Sequence, residues 1–176
     1  MPTGNGTSRA QPDGPESGTV DDGIAAGEAL AAALDLELLP LEGGLFRRTF
    51  TGDGASAILF MLIGDDFSAM HRLHGDEVYF HHCGAPLRML LIEPSGDQLE
   101  VLLGSDVANG QQPQVHVPAG WWQGSSPAGA WSLVSTVVSP GFDWHDFTLG
   151  DRAELTALAP GAAQSIGRLT RDEPPL

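Results

Sequence analysis

Residues 64–84 read GDDFSAMHRLHGDEVYFHHCG and hold four of the six histidines of the 176-residue chain. Apolar runs precede and follow this segment, and Gly75-Asp76 divides it with residues typical of a turn, so the pattern predicts two neighbouring strands. Side chains alternate between the two faces of a strand. The side chains that we expect on one common face are those of His71, Glu77, Tyr79 and His81.

His71 and Glu77 form the strongest candidate pair on that face. An imidazole and a carboxylate that converge can hold a divalent metal or move protons. Burying a carboxylate is costly unless a partner compensates its charge. The alternative is a polar pair that is satisfied within the core and has no chemical role. We interpret the pair as functional, and without a metal we expect His71 to be the partner of Glu77.

Two short motifs around this segment resemble those of the cupin superfamily. The first family motif is Gly, His-x-His, three or four residues, Glu, six residues and Gly, and the second is Pro-x-Gly-x-x-His. The spacing from Glu77 to Gly84 fits the first motif, and residues 118–120, Pro-Ala-Gly, fit the second. Leu73 stands in place of the second histidine of the first motif, and Gln123 stands in place of the histidine of the second.

Five sequence blocks, in order, resemble more closely a family of small single-domain cupins of largely unassigned function. The blocks are EGGLFRRTF (42–50), HRLHGDEVYFHHCGAPL (71–87), LLGSD (102–106), VPAGWWQG (117–124) and SPGFDWHDFTLGDRAEL (139–155). The resemblance implies an all-β fold, a double-stranded β-helix or cupin jelly-roll barrel, and usually a homodimer. It does not imply one reaction, because one fold hosts many functions.

The chain should form one domain with a tail at each end. Residues 1–22 are rich in Gly, Pro, Ser and Thr and are predicted to be disordered. Residues 23–158 are predicted as a single cupin domain, with a helix over 23–38 outside a barrel of residues 45–149 and a short helix over 151–158. Residues 159–176 are predicted as a loose C-terminal tail. We expect the strand near residues 46–51 to pair with, or cross to, a second copy.

The composition narrows the classes of partner. The net charge is −15, and all eight basic residues are arginine. Such a chain should repel nucleic-acid backbones and anionic membrane surfaces. It has a single cysteine, Cys83, and no apolar run of signal-peptide or membrane-helix type, which favours a cytoplasmic protein.

Because two motif positions are changed, the sequence does not decide whether the protein binds a metal cofactor. Leucine cannot bind a metal, and an amide oxygen is a weak ligand for zinc or iron. Either the protein uses no metal, or it holds a divalent Zn, Fe, Mn or Ni ion. The candidate ligands for such an ion are His71, Glu77 and Gln123, with His74 or His81 as a substitute imidazole.

The function predicted from these residues is that of an enzyme acting on a small organic molecule inside the barrel. The expected reaction is an isomerisation, epimerisation, cyclisation or elimination in specialised metabolism. By analogy with sugar-nucleotide epimerases of related shape, His71 or His81 would be the base and Tyr79 the acid. Phe46, Trp122 and Gln123 are predicted to contact the ligand. The alternatives are a metal-dependent cupin oxygenase and a non-catalytic small-molecule-binding cupin.

Overall fold

The computed structural model describes residues 20–171, which form two antiparallel β-sheets with short helices around them. The helices are α1 Val20–Ala33, α2 Arg152–Leu158 and α3 Ala163–Arg168. The strands are β1 Glu37–Leu38, β2 Leu45–Thr51, β3 Ser56–Ile63, β4 Ser68–Leu73, β5 Asp76–Gly84, β6 Leu87–Ile92, β7 Gln98–Leu103, β8 Gln114–Val117, β9 Trp122–Pro127, β10 Trp131–Ser139 and β11 Phe147–Leu149. The strand order is β1-β2-β3-β10-β5-β8 in one sheet and β11-β4-β9-β6-β7 in the other.

The main hydrophobic core lies between the two sheets. Alternation along the strands sends every second side chain inward from both sheets. Its buried members are Leu39, Phe60, Leu62, Tyr79, Leu87, Met89, Leu91, Val101, Leu103, Val115, Val117 and Val134. The predicted class, an all-β jelly-roll fold with an N-terminal helix and a short C-terminal helix, is confirmed.

Helix α1 is displaced from the helix that we predicted over residues 23–38. It spans Val20–Ala33, and Asp35 then takes a left-handed backbone conformation with φ of 51°. The next residues, Glu37 and Leu38, pair with Leu45 and Phe46 as strand β1. Sheet pairing therefore overrides the helix propensity of residues 34–38.

The C-terminal segment is ordered over much of the range predicted as a loose tail. A 3₁₀ turn at Pro160–Ala162 leads into α3, and Ile166 is 0% exposed. Together with Leu155 and Leu169, Ile166 covers the outer face of the five-stranded sheet at Met70. The prediction of a loose tail is thus wrong for residues 159–171, because this segment shields a second apolar cluster.

The predictions for the two chain ends fall partly outside the residues that the structure describes. The predicted disordered tail covers residues 1–22, of which 1–19 lie outside the described residues and 20–22 form the start of α1. Residues 172–176 also lie outside that range. In the described part of the chain, no helix is both long and apolar enough to span a membrane.

Candidate active site

A cavity of about 80 Å³ lies between the two sheets at one end of the fold. Its polar lining is Glu42, Arg48, Ser56, His71, Glu77 and Thr136. Its apolar lining is Leu39, Phe46, Ile58, Leu73, Val138, Phe142 and Trp144. The cavity therefore combines a few charged groups with a largely apolar and aromatic wall, which is the usual composition of a small-molecule site.

The His71 imidazole is fixed in one tautomer by a backbone contact. His71 lies on β4, is 2% exposed, and places Nδ1 2.8 Å from the Ala69 carbonyl oxygen. A carbonyl oxygen can only accept a hydrogen bond, so Nδ1 carries the proton. Phe147 stacks on the ring with centroids 5.2 Å apart. When the ring is neutral, its lone pair is therefore at Nε2, in the cavity wall.

Glu42 supplies a carboxylate beside that nitrogen, and sequence reasoning missed it. Its Oε2 lies 3.9 Å from Nε2 of His71, and its Oε1 accepts a hydrogen bond of 2.7 Å from the Ser68 hydroxyl. The chain turns sharply after Glu42, because Gly43 and Gly44 both adopt positive φ. The signal available in the sequence was an acidic residue directly before Gly-Gly in the block EGGLFRRTF.

Glu77 is held by an amide rather than by the expected imidazole. It is 5% exposed, and its Oε2 accepts a 2.6 Å hydrogen bond from Nε2 of Gln123. Tyr79 donates a longer bond of 3.3 Å to the same oxygen, and Thr136 is a further hydrogen-bonding neighbour. The expectation that His71 is the partner of Glu77 is therefore corrected, because Gln123 takes this place and His71 lies nearest to Glu42.

Burial raises the pKa of the Glu77 carboxyl above its ordinary value. The nearby charge of Glu42 raises this pKa further, whereas His71 and the hydrogen bonds from Thr136 and Gln123 lower it. The protonated form of Glu77 is consequently more accessible than that of an exposed glutamate. A neutral carboxyl in such a site can donate a hydrogen bond or a proton.

Tyr79 stands behind Glu77 rather than in the cavity wall. It is part of the main core, and its hydroxyl is directed at Glu77. Burial, and then the charge of Glu77, raise the pKa of Tyr79 well above its ordinary value. The phenol therefore stays protonated and orients the Glu77 carboxyl, so this geometry does not place it as a general acid at the cavity.

The two histidines considered as substitute ligands do not reach the cavity lining. His81 places Nε2 3.2 Å from the Ala85 carbonyl oxygen, so that nitrogen is the donor of the pair. His74 is exposed and lies 3.1 Å from Asp146. Neither ring stands beside His71, because a chain turn directs His74 outward and His81 is held against Ala85.

The donor set does not fit a divalent metal of the kind that the resemblance implies. Across residues 20–171, no group of three or more His, Cys, Asp or Glu side chains could hold a metal ion. Leu73 lines the cavity where an imidazole would be needed, and the Gln123 amide nitrogen is engaged with Glu77. The predicted ligand set of His71, Glu77 and Gln123 thus contains one imidazole and one carboxylate that is already hydrogen-bonded.

Of the three predicted ligand contacts, only Phe46 lines the cavity. Gln123 acts through Glu77, and Trp122 packs in the outer cluster under α2 and α3, with the Arg72 guanidinium 4.7 Å from its ring centroid. The prediction for Trp122 is corrected, since consecutive strand residues face opposite ways. Two further aromatic side chains, Phe142 and Trp144, line the cavity together with Phe46.

A larger cavity of about 330 Å³ lies elsewhere, on the outer face of the five-stranded sheet. Arg88, Ser126 and Arg168 are among its lining residues, and none of the lining residues is a histidine. The smaller cavity, rather than the larger one, therefore contains the imidazole and the two carboxylates.

Proteins of known structure resemble this chain over most of its length. A protein of Shewanella oneidensis with a known crystal structure is similar, with 34% identity, coverage of 83% of this chain and 98% of its own, and a TM-score of 0.78. A hypothetical protein of Leishmania major is similar, with 29% identity over 82% of this chain and 98% of its own and a TM-score of 0.74. A search of curated proteins finds no match.

More distant similarity concerns the fold alone. Oxalate decarboxylase of Bacillus subtilis is 12% identical over 80% of this chain and 38% of its own, with a TM-score of 0.55. The sequence profile of the family described as Cupin superfamily (DUF985) matches residues 28–150, which is more than half of the chain. The chain therefore belongs to this family of the cupin superfamily.

Proposed function

We propose that the cavity between the sheets is the active site of an enzyme that moves a proton on a small organic molecule, with His71 as the general base. The observation that carries this proposal is the bond between Nδ1 of His71 and the Ala69 carbonyl. This bond fixes the tautomer in which Nε2 can accept a proton. The reaction class is that of an isomerase or epimerase, or of a lyase.

The proton-transfer step uses groups that line the cavity. Nε2 of His71 accepts a proton from a carbon next to a substrate carbonyl, so the C–H bond breaks and an N–H bond forms. The electron pair moves onto the carbonyl oxygen as an enolate. Glu42, 3.9 Å from Nε2, stabilises the imidazolium that results.

Glu77 is the candidate acid for the developing oxyanion. Its raised pKa favours the neutral carboxyl, which can donate to the enolate oxygen. Tyr79 and Gln123 are positioning residues, since both hold Oε2 of Glu77. Return of the proton to the other face or to a neighbouring carbon completes an isomerisation, whereas loss of a leaving group from the enolate completes an elimination.

Hydrogen–deuterium exchange tests this proposal without knowledge of the product. Small aldehydes, ketones and oxo acids are incubated with the protein in D₂O, and the proton signal of the carbon next to the carbonyl is followed by NMR. We expect His71→Gln to abolish exchange that the wild type catalyses. His82→Gln is the matched control, because His82 is exposed on β5.

Three outcomes would contradict the proposal. Compounds that bind to the cavity without any exchange would indicate the non-catalytic binding module. Exchange that survives in His71→Gln would assign the base elsewhere. Metal analysis of the purified protein runs in parallel, and a stoichiometric divalent metal whose loss abolishes exchange would overturn the metal-independent reaction.

A further inference from the structure

We infer that the substrate is a small carboxylic acid, and that Arg48 binds its carboxylate at the cavity mouth and directs the reactive carbon toward His71. This inference rests on the proposed function, since it takes His71 as the base. It adds the substrate class and a specificity-determining residue.

Arg48 lies at the exposed edge of the cavity, on the same strand face as Phe46. Its strand neighbour on that face is Phe46, and its cross-strand partner is Ile58. Both of these side chains pack against the main core. Arg48 itself lines the cavity together with them. Arg48 is exposed, so its guanidinium forms the solvent-accessible edge of an otherwise largely apolar wall, where it can bind an anionic group.

A β-bulge directly follows Arg48. Arg48 pairs with Ile58 and Phe50 pairs with Ala57, so Thr49 is the extra residue of strand β2. Bulges occur often next to active sites, where they redirect a side chain. Here the bulge lies in the exposed part of β2, which begins at Arg48 and ends at Thr51.

No partner within the described chain neutralises the Arg48 guanidinium. Its Cζ lies 5.6 Å from the ring centroid of Phe142, which also lines the cavity. Among residues 20–171, no carboxylate forms an ion pair with Arg48, although Glu42 and Glu77 line the same cavity. Its neighbour Arg47, in contrast, lies 4.0 Å from Asp35. The aromatic contact holds the guanidinium and leaves its hydrogen-bond donors available.

The charge distribution fixes the orientation of an anionic ligand. The Glu42 carboxylate lies beside His71 and would repel a carboxylate there, whereas Arg48 would attract one. A planar carboxylate matches the two parallel donors of a guanidinium. The ligand is therefore expected with its carboxylate at Arg48 and its carbonyl and C–H group at His71.

The size of the cavity limits the acid. A volume of about 80 Å³ is far below the ~300–1,000 Å³ of pockets that bind drug-sized ligands. A nucleotide-linked sugar would not fit within the cavity. The walls of Phe46, Ile58, Phe142 and Trp144 favour an acid with a short apolar or aromatic substituent.

The test compares the binding of charged acids and of their neutral amides to the wild type and to variants of two neighbouring arginines, Arg48 and Arg47. The probes are 2-oxobutanoate and 2-oxopentanoate, each paired with its amide, and binding is measured by ligand-observed NMR and calorimetry. We expect the acids to bind the wild type at least tenfold more tightly than the amides. Arg48→Gln should lose at least tenfold in affinity for the acids and little for the amides, and Arg47→Gln should match the wild type.

Several results would overturn the inference. One is that the amides bind the wild type as tightly as the acids do, and another is that no acid binds at millimolar concentration. The others are that Arg48→Gln keeps the wild-type affinity for the acids, or that Arg47→Gln loses as much of this affinity as Arg48→Gln does. Native circular dichroism of each variant excludes misfolding as the cause, and Arg48→Lys, which keeps the charge, should recover part of the affinity.

The same variants separate this inference from the proposed function. Arg48-dependent binding of acids without deuterium exchange would refute His71 as a base and leave the ligand class intact. Exchange of neutral carbonyl compounds that depends on His71 and not on Arg48 would leave the proposed reaction intact and refute the acid substrate.

Discussion

Replacing Gln123 by methionine removes the hydrogen bond that holds Glu77 and keeps a side chain of similar length. The 2.6 Å bond joins an amide to a buried carboxyl group. A hydrogen bond to a charged group contributes about 1.5–3 kcal/mol to stability. For a chain of this length, that loss corresponds to a fall in melting temperature of about 3–12 °C.

The pH dependence of this loss tests its origin. The Gln123 bond lowers the pKa of Glu77, so it favours the ionised carboxylate. The destabilisation should therefore be small where Glu77 is protonated in both proteins. It should grow as the pH rises through the native pKa of Glu77 and then level off above the pKa of Glu77 in the variant. Urea unfolding measured between acidic and mildly alkaline pH gives this curve.

A Glu77→Gln background is the control for the same substitution. In that background the residue opposite position 123 is an uncharged glutamine. The loss of unfolding free energy caused by Gln123→Met should therefore fall to about 0.5–1.5 kcal/mol. It should also not vary with pH over the range in which carboxyl groups titrate. Two results for Gln123→Met in the otherwise wild-type protein would refute the reasoning. The first is a loss of unfolding free energy that does not vary with pH. The second is a loss smaller than about 0.5 kcal/mol at pH 8, which is typical of substitutions at surface positions.

Three further predictions concern a turn, an exposed ion pair and the assembly. Gly44→Ala should destabilise by about 1–3 kcal/mol in urea unfolding, because Gly44 has φ of +78° and a Cβ there would lie 2.6 Å from the Phe60 ring. Gly110→Ala, with φ of +84° and no neighbour within 4 Å, should cost less, and equal costs would contradict the steric part. Asp143→Asn should lower the raised pKa of His145 toward 6.5 in an NMR titration, since Asp143 accepts the 2.7 Å bond from that ring, and an unchanged pKa would show that the contact does not form in solution. Light scattering should give twice the chain mass of 18.5 kDa, and a monomer at micromolar concentration would contradict the homodimer.

Local patterns predicted most strands because alternation and turn residues agree there. Strand β2, Leu45–Thr51, contains the strand that we expected near residues 46–51. Strand β9 is less evident in the sequence, because its last residues, Ser125, Ser126 and Pro127, have the composition of a loop. In the structure, β9 pairs with β4 and β6 on both sides, so its backbone groups are satisfied by the sheet. Tertiary pairing of this kind outweighs local composition.

The candidate site was predictable where it follows strand alternation and motif spacing. His71 and Glu77 both line the cavity. The same rule would have removed Trp122 from the ligand contacts once Gln123 was placed inward. Glu42 could not be placed in this way, because a connection after β1, rather than a strand face, brings it to His71.

Leu73 and Gln123, which replace the two histidines of the family motifs, together change the partners of the charged groups in the site. With Leu73 in the wall, His71 has no second imidazole beside it and instead has the carboxylate of Glu42. With Gln123 opposite, Glu77 has a hydrogen-bond donor, which compensates part of the cost of its burial. The two acidic groups thus have separate partners, with Glu42 beside His71 and Glu77 bonded to Gln123. A site of this kind places an imidazole and a carboxyl of raised pKa on the wall of one small cavity.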